Sequence, residues 1–202
     1  LQIAEGAANE ISSMLQRMRE LAVQSATGTL TTTETAYTNQ EFTALRDEIE
    51  RVADNTAYNQ LNLLDVNTAF ALHVGANEVA ADDQISFTRT DLQTAALGID
   101  QGNAGVGSGA DALTAIATLD LAITSVNNAR SDFGATINRL EYALNNLGNQ
   151  AYNTQDAESR IRDVDFATET TNFTKAQILT QSATSMLAQA NAVPQSVLQL
   201  LG

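Results

Sequence analysis

Cysteine and tryptophan are absent from this 202-residue chain, proline and histidine occur once each, and Lys175 is the single lysine. Lack of cysteine excludes disulfides and thiol chemistry, although it assigns no compartment. Positive charge is scarce as well: 10 Lys and Arg stand against 24 Asp and Glu, a formal charge of −14 at pH 7. A duplex-binding protein gains most of its affinity by neutralising phosphates with Lys and Arg, so nucleic acid is not an expected partner. No uninterrupted apolar run approaches the roughly 18 residues of a membrane span, and no basic segment precedes an apolar one, so no membrane insertion is predicted. The chain starts at Leu1 and not at Met, as a fragment would, and any N-terminal address is out of view.

Clusters that could carry chemistry are equally thin. His73 has no cysteine, base or orienting group in sequence reach, which favours an ordinary strand position over catalysis. Asp82 with Asp83, and Asp163 with Asp165, lack the liganding pattern of a calcium loop and read as turn and solvated-face residues. Gly102, Gly105, Gly107 and Gly109 lack the Lys and Ser/Thr of a phosphate loop. Asn172 and Thr174 form an Asn-x-Thr triplet that a buried assembly helix would make unusable. The expectation is a protein without enzymatic activity, cofactor or metal.

What the chain has is helical stripes. Taking Ile116 as an a position puts Ile116, Ile123, Arg130, Ile137 and Leu144 at a, and Leu119, Val126, Phe133, Leu140 and Leu147 at d. Such a stripe cannot be buried by one helix alone. At 1.5 Å per residue the seam is roughly 50 Å long, which argues for an elongated bundle. Arg130 interrupts it and should pair with an acidic neighbour or mark register. Residues 1 to 27 repeat the pattern, with Ala4, Ala7, Ile11, Met14, Met18 and Leu21 at a and d, and Ala8, Leu15 and Ala22 at e. A second helix is predicted from a cap at Thr33–Glu34 to about Asn55, with Phe42, Leu45, Ile49 and Val52 inward and Arg46 among its polar flanks. The short link between these helices makes them antiparallel neighbours.

The period then changes to two. Phe70, Leu72 and Val74, followed by Ile85 and Phe87, read as a β-hairpin around a tip holding Gly75, Asn77, Asp82 and Asp83. Residues 98 to 110 read as a Gly-rich flexible return, after which Asp111 caps the long helix. Past Leu147 the seam weakens, then restarts as Ala176, Leu179, Ala183, Met186, Ala190, Val193, Val197 and Leu200. This last stripe has no free partner among the earlier helices, so a further segment or other copies of the chain must cover it. Pro194 should kink or end its final turns. The fold class is mainly α: an elongated antiparallel bundle of three long helices with a small β-hairpin region and a C-terminal coiled-coil helix. The domains expected are 1–57 with 110–165 as a discontinuous helical rod, 58–109 as hairpin and connection, and 166–202 as the coiled-coil segment.

Five segments, LQRMRELAVQSATG (Leu15–Gly28), NTAYNQLNLLD (Asn55–Asp65), FALHVGAN (Phe70–Asn77), SRIRDVDFATE (Ser159–Glu169) and the run from Thr174 to Gly202, together resemble bacterial flagellin in order and over almost the whole chain. Gln60 departs from the pattern, where the family usually has Gly after Asn. The resemblance implies a chain lacking the family's N-terminal coiled-coil helix and most of its variable outer region.

It further implies a structural subunit that polymerises as a homopolymer into the secreted, extracellular flagellar filament, with the seam from Ala176 to Leu200 in the inner tube. A flagellar export chaperone and a filament cap are implied partners. A hook-filament junction or related axial protein is the alternative. Family members that trigger the host Toll-like innate immune receptor do so through the first rod helix. The matching residues here are Leu15, Gln16, Arg17, Arg19, Glu20, Leu21, Val23 and Gln24, with Glu48 from the second helix in the EIERV run. The same residues are also candidates for subunit packing.

Overall fold

The computed structural model describes residues 1–75, 83–102 and 104–200, with side chains followed to Ala192 in the last helix. The elements in order are α1 (Gln2–Ala26), α2 (Thr32–Asn55), β1 (Ala57–Tyr58), β2 (Leu61–Asn62), β3 (Thr68–His73), β4 (Gln84–Arg89), α3 (Gly109–Arg162) and α4 (Phe166–Leu200). They form two compact units, Leu1–Gly148 and Asn149–Gly202. Packing thus divides the chain inside α3, whereas the helix itself breaks later, at residues 163–165.

Helix starts in the first unit are set by local side-chain chemistry, one register away from where the sequence pattern suggested. Thr31, not Thr33, caps α2: its Oγ1 accepts from the Glu34 N–H at 3.3 Å, and Glu34 accepts from the Thr31 N–H at 2.8 Å. Only Thr31 lies three residues before a Glu, which the reciprocal box requires. Ser108 likewise receives the Asp111 N–H and donates to the Asp111 carboxylate at 2.6 Å, so Asp111 sits inside α3 and Ser108 is its cap.

Helices α1 and α2 run antiparallel, with Ser25 bonded to Thr38 at 3.0 Å and Arg17 to Glu41. α1 and α3 are also antiparallel, since Arg19 meets Asp120 near one end and Arg130 meets Glu5, at 4.0 Å, near the other. Arg130 therefore does pair with an acid, and it does so across helices. One core unites Ile11, Leu15, Met18, Phe42, Ile49, Leu119, Val126 and Phe133.

The buried stripe of α3 is rotated from the predicted a/d seam. Its d residues are buried, and so are Ala115, Ala122, Ala129 and Thr136 one position before each a residue. Ile116, Ile123 and Arg130 lie at the flank and stay partly exposed. Short alanine side chains fill the deepest line, while the longer a residues reach to the edge. On α2, Arg46 was expected among the polar flanks but is 8% exposed, holding the carboxylate of exposed Asp47 at 3.0 Å. Its aliphatic stem can lie along apolar surface while the head stays paired.

β1 and β2 form a hairpin with a two-residue turn at Asn59 and Gln60, both at positive φ (52° and 64°). In the second hairpin Phe70 faces Phe87, ring centroids 5.6 Å apart, and Leu72 faces Ile85. Its expected tip residues Asn77 and Asp82 lie outside the described residues, and His73 is an exposed strand residue. The Gly-rich return is not loose: Leu97, Ile99, Ala104 and Val106 are buried in the core beside Leu63, Leu64 and Leu92. Glu50 accepts both the N–H and the hydroxyl of Thr94 at 2.7 Å, and Gly98 at φ +71° lets the chain turn back so that the Ile99 N–H reaches the Thr94 carbonyl. Glycine counting predicted flexibility; the interspersed Leu, Ile and Val anchor the segment instead.

In the second unit α3 ends at Arg162, and Asp165 opens α4 by accepting the N–H groups of Ala167 and Thr168 and the Thr168 hydroxyl. α4 continues through Pro194 to Leu200, so proline does not end it. Between Gly109 and Ala192 one 18-residue window reaches a mean hydropathy of 1.3 with 28% of it buried, enough by length and composition for a membrane crossing. That average corrects the sequence reading, which tested only uninterrupted runs and missed apolarity spread among polar residues.

Candidate recognition and assembly surfaces

The outer side of α1 carries Gln16, Arg17, Arg19, Glu20, Val23 and Gln24 in the open. Leu15 and Leu21 do not belong to that surface, because they are 0% and 1% exposed and fill the core beneath it. Glu48 is half-buried on α2 and bonds Arg51 of its own helix, not the α1 group. That guanidinium holds the Glu48 carboxyl below the usual glutamate range.

Two arginines two residues apart leave α1 in opposite directions. Arg17 is clamped from two sides, its Nε donating to Glu41 of α2 at 2.8 Å and a terminal nitrogen to Glu20 at 3.0 Å. Arg19 turns to α3 and donates through Nε to Asp120 at 2.6 Å. Hydrogen bonds to Glu41 and to Asp120, respectively, raise both guanidinium pKa values above the ordinary one, so both stay charged. The i, i+3 pair Arg17–Glu20 was legible in the sequence. Asp120, 101 residues away, was not.

The second surface is α4. Ala176, Leu179, Ala183, Met186 and Ala190 are all exposed, Leu179 at 60% and Met186 at 71%. The side chains of Val193, Val197 and Leu200 lie outside the described ones. Ile178 and Leu187, off the seam, add 58% and 61% exposed apolar side chains that a strict heptad reading passed over. Among the described residues no group of three or more His, Cys, Asp or Glu could hold a metal.

Residues 1–69 match the bacterial flagellin N-terminal helical region, and residues 116–201 match the bacterial flagellin C-terminal helical region. A flagellin of Halalkalibacterium halodurans is 45% identical over 203 residues, covering 100% of this chain and 73% of that protein. The chain belongs to the flagellin family. It is also 40% identical to a flagellar filament 33 kDa core protein of Treponema phagedenis, over 100% of this chain and 74% of that one. The crystal structure of Bacillus cereus flagellin superimposes with a TM-score of 0.64 at 32% identity, covering 77% of this chain and 88% of that one. Flagellins are structural subunits of the bacterial flagellar filament and not an enzyme family, and a helical bundle with a small antiparallel β region is what the fold shows.

Proposed function

We propose that this flagellin-family chain is a secreted subunit that polymerises with copies of itself into the extracellular flagellar filament. The supporting observation is α4: a long helix whose Leu179, Met186 and Leu187 stand open to water. Covering a Leu or Met contributes about 1.5–3 kcal/mol, so several such side chains along one helix are a strong reason to associate. Recognition by an export chaperone and a filament cap belongs to the same reading, since both would meet an uncovered seam. The single test is electron microscopy of the full-length polypeptide under polymerising conditions. Long uniform filaments are expected; a soluble monomer at high concentration would refute the reading. A hook-filament junction protein would instead appear in a few copies at one position, which subunit counting along a filament distinguishes.

A second reading rests on the α1 surface: this chain is a ligand of the host Toll-like receptor for flagellin, with Arg19 as its anchor. An exposed guanidinium on a rigid helix is the type of group that dominates protein interfaces. Arg19→Ala is expected to weaken binding to the soluble receptor ectodomain at least tenfold. Binding equal to the parent would remove the assignment.

A further inference from the structure

Resting on the receptor reading, we infer that Asp120 of α3 is a positioning residue for Arg19, and that the group Arg19 engages on the partner is acidic. The argument starts from how the two α1 arginines are spent. Arg17 uses Nε and both terminal nitrogens on Glu41 and Glu20, so its charge is answered within the chain. Arg19 is held at Nε by one carboxylate oxygen of Asp120, at 2.6 Å. The planar guanidinium carries five donors in a fixed fork. Tying it at Nε orients that plane and directs the terminal amino groups away from the bond, the edge that takes a carboxylate bidentately.

The surroundings fit a docking position. The Arg19 side chain is 45% exposed and that of Asp120 52%, so the pair is open to a partner and is not sealed in the core. The antiparallel register of α1 and α3, fixed by Arg19–Asp120 and Glu5–Arg130, sets Val23 of α1 opposite Leu113 of α3 one turn further along the same furrow. Both are exposed, at 43% and 63%. An apolar flank beside a charged fork lets a partner exclude water from the ion pair it forms, which strengthens that pair. The reciprocal hydrogen bond also removes rotamers that a free arginine would lose on binding.

The test measures binding to the soluble receptor ectodomain for the parent, Arg19→Ala, Asp120→Leu, Asp120→Asn, and the Arg19→Ala/Asp120→Leu double variant. Thermal melting of each variant accompanies the measurement. Asp120→Leu is expected to weaken binding three- to tenfold without shifting the melt, Asp120→Asn to restore part of it by keeping an acceptor oxygen, and Asp120→Leu to have no effect where Arg19 is already alanine. If Arg19→Ala weakens binding but Asp120→Leu does not, the positioning role fails and the receptor reading stands. If Asp120→Leu weakens binding as much without Arg19 as with it, Asp120 acts by another route and the inference is overturned. If Arg19→Ala binds like the parent, both fall together.

Discussion

The stripes of α3 and α4 look alike as letters and differ in what covers them. From Ala112 to Thr136 the α3 stripe is sealed by α1 and α2, with Leu119, Val126 and Phe133 at 0–1% exposure. Along α4 the corresponding Leu179 and Met186 are 60% and 71% exposed. Heptad spacing therefore states that a surface will be covered, and says nothing about whether the cover comes from the same chain. The composition of the stripes carries a hint: aromatic Phe133 and Phe42 anchor the intramolecular core, while the α4 seam is built of Ala, Leu, Met and Val.

The sharpest test of this contrast is Phe133→Ala against Leu179→Ala. The first should cost about 3–5 kcal/mol in urea unfolding of the bundle, because the deleted ring leaves a cavity. The second should leave the monomer's unfolding unchanged and raise the concentration needed for polymerisation about tenfold. Equal destabilisation of the monomer by both would collapse the distinction between inward and outward stripes.

Smaller effects sharpen the comparison at the ends of elements. Gln60→Gly should stabilise the first unit by about 1 kcal/mol in thermal melting, since a residue other than glycine at positive φ is strained by roughly 1–2 kcal/mol. Thr31→Ala should destabilise α2 by about 1 kcal/mol through loss of its cap, read by urea unfolding.

Acid should loosen both units at their helix starts. The Thr168 hydroxyl and the backbone N–H groups of Ala167 and Thr168 lower the Asp165 pKa, and the Thr31 backbone N–H and hydroxyl lower that of Glu34. A carboxyl depressed on folding stabilises the fold fully above its unfolded value, near 3.8 for Asp and 4.5 for Glu, and that support is lost as pH falls through the folded value. Amide exchange in the first turns of α2 and α4 should therefore speed up below about pH 4. Asp165→Asn should flatten that acid response at α4 alone. The smallest effect concerns charge: at −14, subunits repel, so polymerisation should slow as ionic strength falls, and rates indifferent to salt would count against repulsion as a brake.

The helices were readable because 3.6-residue periodicity survives any tertiary context, and hence α1, α2 and most of α3 lie where the stripes put them. Three things were not readable. The exact caps depended on which of several threonines and acids could close a box. The rotation of the α3 stripe depended on three alanines, which spacing counts as weakly apolar. The packing of Ile99 and Val106 was hidden by the glycines around them, because composition averages over the few side chains that anchor a loop. At the α1 surface, the residue types were legible and their partners were not: the Arg19–Asp120 pair closes over 101 residues of chain. Leu15 and Leu21 were assigned to the same surface because a motif is read as a line, although a helix turns every other residue of it inward.

Small residues sit at the centre of the bundle: Ala4, Ala8 and Ala22 on α1, Ala53 on α2, and Ala112, Ala115 and Ala122 on α3, none more than 2% exposed. They set the girth of the subunit to within a methyl group, since a larger side chain at any of them would wedge the helices apart at a cost of about 1–3 kcal/mol. In an assembly of many copies, an error of that kind recurs at every repeat and adds up around the circumference. Alanine in the middle of the bundle thus acts as a gauge, keeping the calibre of each copy the same as that of its neighbours.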